Sequence, residues 1–148
     1  MRALVIIFLF TSSSLFSQDT TVAWIKNIDT TAFKLSYSKK GIPKKFYKYI
    51  WIHDTKEIAN PTDKWQPSCM GKISYRLNWI ATDKNNHMVI SISHGGKGPG
   101  TNYYCFDEEK GKFNMNILRF PYKELSLSQV VDFIKRGYFK FDEIDLLD

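Results

Sequence analysis

The chain has 148 residues, with 21 Lys and Arg against 15 Asp and Glu, a formal net charge of +6. Aromatic residues make up 16% and are spread along the sequence, which excludes a disordered chain. Two cysteines and three histidines occur without Cys-x2-Cys or His-x3-His spacing, which argues against a zinc module, and no cofactor motif is read.

The N-terminus comes first in chain order. Met1-Arg2 carries a positive charge, Ala3 to Phe10 is unbroken apolar sequence, and Thr11 to Ser17 is rich in small polar residues. That order predicts a secretory signal peptide over residues 1–17, cleaved after Ser14 or Ser17. The apolar block is far shorter than the roughly 20 residues of a spanning helix, so no transmembrane segment is expected once it is removed. Residues 18–148 are then expected to form a single globular domain, exported to the periplasm or secreted. An oxidising compartment makes Cys69 and Cys105 disulfide candidates.

Phe33, Leu35 and Tyr37 alternate with Lys34 and Ser36, the period of a half-buried strand. Residues 43–52 read as a helix opened by Pro43, with Phe46 and Ile50 on one side and Tyr47 and Trp51 beside them. Asn60-Pro61 and Gln66-Pro67 mark an extended loop leading to Cys69. A meander follows. Its first strand carries Ile73, Tyr75, Leu77 and Trp79 on one face, and Asp83 to Asn86 turns the chain. Met88, Ile90 and Ile92 mark the second strand, Asn102 to Phe106 the third, and Phe113, Met115 and Ile117 the fourth. Residues 107–112 are read as the turn between the last two. Ser126-Leu-Ser-Gln129 is a capping-box sequence with Leu125 and Val130 at the staple positions. Leu127, Val130, Val131 and Ile134 then form an apolar helical stripe ended by Gly137. The expected fold is α+β: an antiparallel β-meander of about four or five strands with one or two packed helices.

Few residues point to chemistry. His94 meets the glycine-rich segment Gly95-Gly-Lys-Gly-Pro-Gly100, where closely approachable backbone amides beside a histidine and Lys97 could hold a carboxylate or phosphate. His94, Gly95, Gly96, Lys97 and Gly98 are therefore the candidate binding residues. The segment lacks the Gly-x4-Gly-Lys-Ser/Thr of a P-loop, and a strand rather than a helix follows it. His53, His87 and His94 are scattered, so no metal site is read. The lysines Lys39, Lys40, Lys44, Lys45 and Lys48 form a basic cluster, and Asp142, Glu143, Asp145 and Asp148 an acidic one. Trp24, Trp51, Trp65 and Trp79 suit a core or an interface, and residues 46–51 interleave cation and aromatic.

These features point to a small exported, non-enzymatic binding or accessory protein. Its partner would be a protein or an anionic cell-envelope ligand; nucleic acid is not expected in that compartment. Two alternatives belong to other classes. One is an immunity or inhibitor protein that neutralises a toxin. The other is a Cys–His hydrolase with Cys69 as nucleophile and His94 or His87 as base.

Overall fold

Alternating apolar residues in the middle of the chain build one sheet. The computed structural model describes residues 24–50, 55–65, 75–96, 99–109, 112–121, 124–137 and 142–144. The expected signal peptide lies outside them, as do Trp51, His53, Cys69, Ile73, Lys97, Gly98, Asp145 and Asp148. The strands are β1 (Lys34–Ser36), β2 (Ile58–Ala59), β3 (Tyr75–Thr82), β4 (Met88–His94), β5 (Gly100–Glu109), β6 (Lys112–Pro121) and β7 (Asp142–Ile144). They lie in the order β1-β3-β4-β5-β6-β7 with every pair antiparallel, and β2 adds a parallel pair to β3. The helices with described bounds are α1 (Lys44–Tyr49) and α2 (Leu127–Lys135), and residues 24–26 are also helical. The fold is therefore α+β around an antiparallel sheet, and β3 to β6 are the four strands of the expected meander.

Several details differ from the sequence reading. Residues 107–112 do not turn as a block: β5 runs on to Glu109, which pairs with Lys112, because the ladder continues through the charged residues. Pro43 is not the first helical residue but the N-cap, with extended backbone. Asp142 and Glu143 of the acidic cluster belong to β7, paired with β6. The alternation at residues 33–37 does form β1, yet Leu35 and Tyr37 are 54% and 59% exposed, so alternation there does not amount to burial.

The largest correction lies in β3. Leu77 pairs with Ile92 but Trp79 pairs with Ser91, so the register shifts by one residue at Asn78. Such a bulge reverses the alternation. Leu77 and Ile80 pack with Ile90, Ile92, Tyr104 and Phe106 on one face, under Ile42, Phe46 and Ile50 of the α1 segment. Trp79 and Ala81 instead join Val89, Tyr103, Cys105 and Leu118 on the other face, under α2 and Ile25. The sheet is thus buried on both faces.

Helix α2 begins as the sequence predicts. Ser126 Oγ accepts from the Gln129 N–H, and Gln129 Oε1 accepts from the Ser126 N–H at 3.0 Å. Leu127, Val130, Val131 and Ile134 are all buried. The residue just before the cap is clamped to the sheet. The Leu125 N–H donates to the Tyr103 hydroxyl at 2.6 Å, and the Trp79 indole N–H donates to the Leu125 carbonyl at 3.1 Å.

Trp79→Phe leaves the buried Leu125 carbonyl unpaired and Tyr103→Phe its N–H, each a cost of about 1–3 kcal/mol. Both hold the same residue, so the double variant is expected to depart from the sum of the two by about 0.5 kcal/mol or more in urea melts. Ile134→Ala is expected to cost about 2–5 kcal/mol by the same measurement.

Candidate functional site

Among the described residues, a concavity lies between the first turn of α1 and the β3–β4 hairpin. It is a cleft of about 370 Å³ lined by Pro43, Lys44, Lys45, Thr82, Asp83, Asn86, His87, Met88 and Phe106. That volume falls within the range of about 300–1,000 Å³ usual for small-ligand sites. Met88 and Phe106 come from the sheet face covered by α1 and supply apolar surface. The lysines supply positive charge on the opposite side.

The hairpin tip is built around Asp83. Its Oδ1 accepts the backbone N–H groups of Asn85 at 2.8 Å and His87 at 2.9 Å. Asn86 adopts the left-handed conformation that closes the turn, with φ of 65°. Asp83 Oδ2 lies 2.8 Å from His87 Nδ1. An ionised carboxylate only accepts, so His87 Nδ1 carries the proton in this contact. The imidazole also stacks on Trp24, with centroids 4.4 Å apart and planes 4° from parallel. The ring is therefore fixed by a hydrogen bond at one edge and by an indole on one face. Burial pushes the Asp83 carboxyl up, but the hydrogen bonds from the His87 side chain, the His87 and Asn85 N–H groups and the His87 charge outweigh it. The net shift is below the usual carboxylate range.

The structure separates the two histidines proposed as a base. His87 precedes β4 and His94 ends it, so they lie roughly 20 Å apart along the strand. His94 is half-buried and pairs with Gly100 across the glycine-rich segment. Gly95 and Gly96 follow it, and Gly96 has φ of 111°, a backbone that favours glycine. Lys97 and Gly98 complete the candidate loop outside the described residues. Cys105 is a free, fully buried thiol, and burial pushes it far above its ordinary value, which makes it a poor nucleophile. The expected bridge has its other end at Cys69, outside the described residues.

The basic cluster divides by role. Lys39 is half-buried and its Nζ donates to the Ile58 carbonyl at 2.6 Å, so it works inside the fold. Lys40, Lys44, Lys45 and Lys48 are exposed. Of the tryptophans, Trp79 is core, Trp24 backs His87, and Trp65 lies under the Arg76 guanidinium, 5.2 Å from its ring centre. Arg76 also pairs with Glu124 at 3.3 Å. Sequence reasoning missed the cleft because its two walls are about forty residues apart in the chain. The available signal was Asp83 four residues before His87 across a turn.

No helix among the described residues is long and apolar enough to cross a membrane. Protein-family models, curated proteins and solved structures were compared with the chain, and none matches it.

Because the folded Asp83 pKa is depressed, the stability it contributes is present above the unfolded value near about 3.9. It is lost as the pH falls through the folded value. Asp83→Asn is expected to flatten this acid limb in denaturant melts between about pH 5 and pH 2. A variant with the same acid limb as the parent would show that the hairpin contacts do not act through this charge.

Proposed function

We propose that this is a non-enzymatic binding protein, acting outside the cytoplasm, that takes a small anionic ligand with an apolar portion into the cleft beside α1. The observation that carries the reading is the His87 ring, held by Asp83 and Trp24 at the wall of a cleft whose opposite wall carries Lys44 and Lys45. A ring immobilised before the ligand arrives loses little freedom on binding. The two lysines favour a carboxylate or phosphate, while Met88 and Phe106 favour an apolar group on the same molecule. The Asp83 oxygens serve the N–H groups of their own hairpin and the imidazole, which suits a rigid recognition element. Export is supported by the n-, h- and c-region order of residues 1–17.

The test is calorimetric titration with phenylacetate and hexanoate against their uncharged amides. The acids are expected to bind more tightly than the amides. Lys44→Glu and His87→Ala are each expected to weaken the acids about tenfold, equivalent to about 1.4 kcal/mol. Equal affinity for acids and amides would defeat the anionic reading, and unchanged affinity in both variants would move the site elsewhere.

A further inference from the structure

We infer that the outer edge of β1 is a docking site for an extended acidic segment of a partner protein, which adds to the sheet as a further strand. Among the described residues β1 ends the strand order, so there it presents one main-chain edge outward. Leu35 pairs with Ala81, whose side chain belongs to the core under α2, and Phe33 packs against that same core. Leu35 and Tyr37 carry the apolar pattern on into solvent, at 54% and 59% exposure. An added strand covers such side chains while its backbone pairs with the edge.

Charge selects the partner. Residues 26–48 hold seven lysines and one aspartate, which equals the formal +6 of the whole chain, so the remaining residues balance to zero. The one aspartate, Asp29, already accepts from the Thr31 N–H at 2.9 Å and the Thr31 hydroxyl at 2.6 Å. Lys34 within β1 and Lys40 just after it are both exposed. A second copy of this edge would bring lysines against lysines. An anionic lipid surface would meet the lysines but would not pair with the strand's N–H and C=O groups. An acidic strand meets the charge, the apolar side chains and the main-chain edge together.

The probe is a fluorescein-labelled ten-residue peptide alternating glutamate and valine, read by fluorescence anisotropy against the full chain. Saturable binding is expected, weakened at least tenfold by the pair Leu35→Ser and Tyr37→Ser, and likewise by the pair Lys34→Glu and Lys40→Glu. All four side chains lie outside the cores, and thermal melts confirm that the variants fold. A peptide of the same sequence, N-methylated at every residue, tests the parent protein directly: loss of binding supports strand addition, and retained binding overturns it. Phosphatidylglycerol vesicles that bind through Leu35 and Tyr37 while the peptide does not would assign the surface to a membrane and overturn the proposal. A dimer abolished by Leu35→Ser and Tyr37→Ser, again without peptide binding, would assign it to a second copy. Lys44 and Lys45 are untouched throughout, so the outcome is independent of the cleft.

Discussion

The one-residue register shift at Asn78 decides which way Trp79 faces, and the α2 side of the molecule follows from that. Without it, Trp79 would lie beside Leu77 under α1. With it, the indole reaches the Leu125 carbonyl at 3.1 Å and, with Tyr103, fixes the residue that precedes the α2 cap. The bulge has its own support. Asn78 is buried and its Nδ2 donates to Ser91 at 3.0 Å and Ser93 at 2.9 Å, and Ser93 meets Thr101 at 3.2 Å. Tyr103 also hydrogen-bonds the Ser91 side chain, and burial pushes its hydroxyl up to about 12, so it stays a neutral phenol at ordinary pH. A continuous polar chain thus links the irregularity in β3 to the entry of α2. Buried polar groups joined in this way specify one arrangement because breaking any member strands the rest.

How much of this the sequence discloses depends on the range of the interaction involved. Helix α2 is legible because its cap, staple and apolar stripe are encoded within nine or ten residues of one another. The strands β3 to β6 are legible because period-2 alternation is local. The bulge is not, since Asn78 reads as an ordinary polar position until Ser91 and Ser93 are known to face it. β2 and β7 span two and three residues, too short for any periodicity to show. Glu108 and Glu109 look like turn residues by type, but the ladder with β6 overrides that preference. The exposure of Leu35 and Tyr37 is equally hidden, because alternation reports a face and not whether anything covers it.

The candidate site was half legible for the same reason. The glycine-rich loop after His94 stands out as composition, whereas the cleft arises from the hairpin and α1 meeting in space. Lys39 shows the limit of reading charge from a sequence: it belongs to a visible basic cluster, yet its amine is engaged with the Ile58 carbonyl. The cleft and the β1 edge share one origin. Both draw on the lysine-rich stretch that runs through β1 into α1, whose net charge equals the formal +6 of the whole chain.

The outer side of β3 is divided between two short strands of opposite direction. β1 takes residues 80–82, β2 takes residues 75–76, and the bulge lies in the gap between them. Strands of this length, each with a described ladder on one side, open at lower free energy than the β4–β5 centre. Their amides therefore form the fast-exchanging layer of the sheet, in two patches rather than one. Lys39 spans from the end of the β1 segment to β2, so it couples the two patches. Neutralising that amine by acetylation would let each fray on its own schedule while the central ladders stay protected.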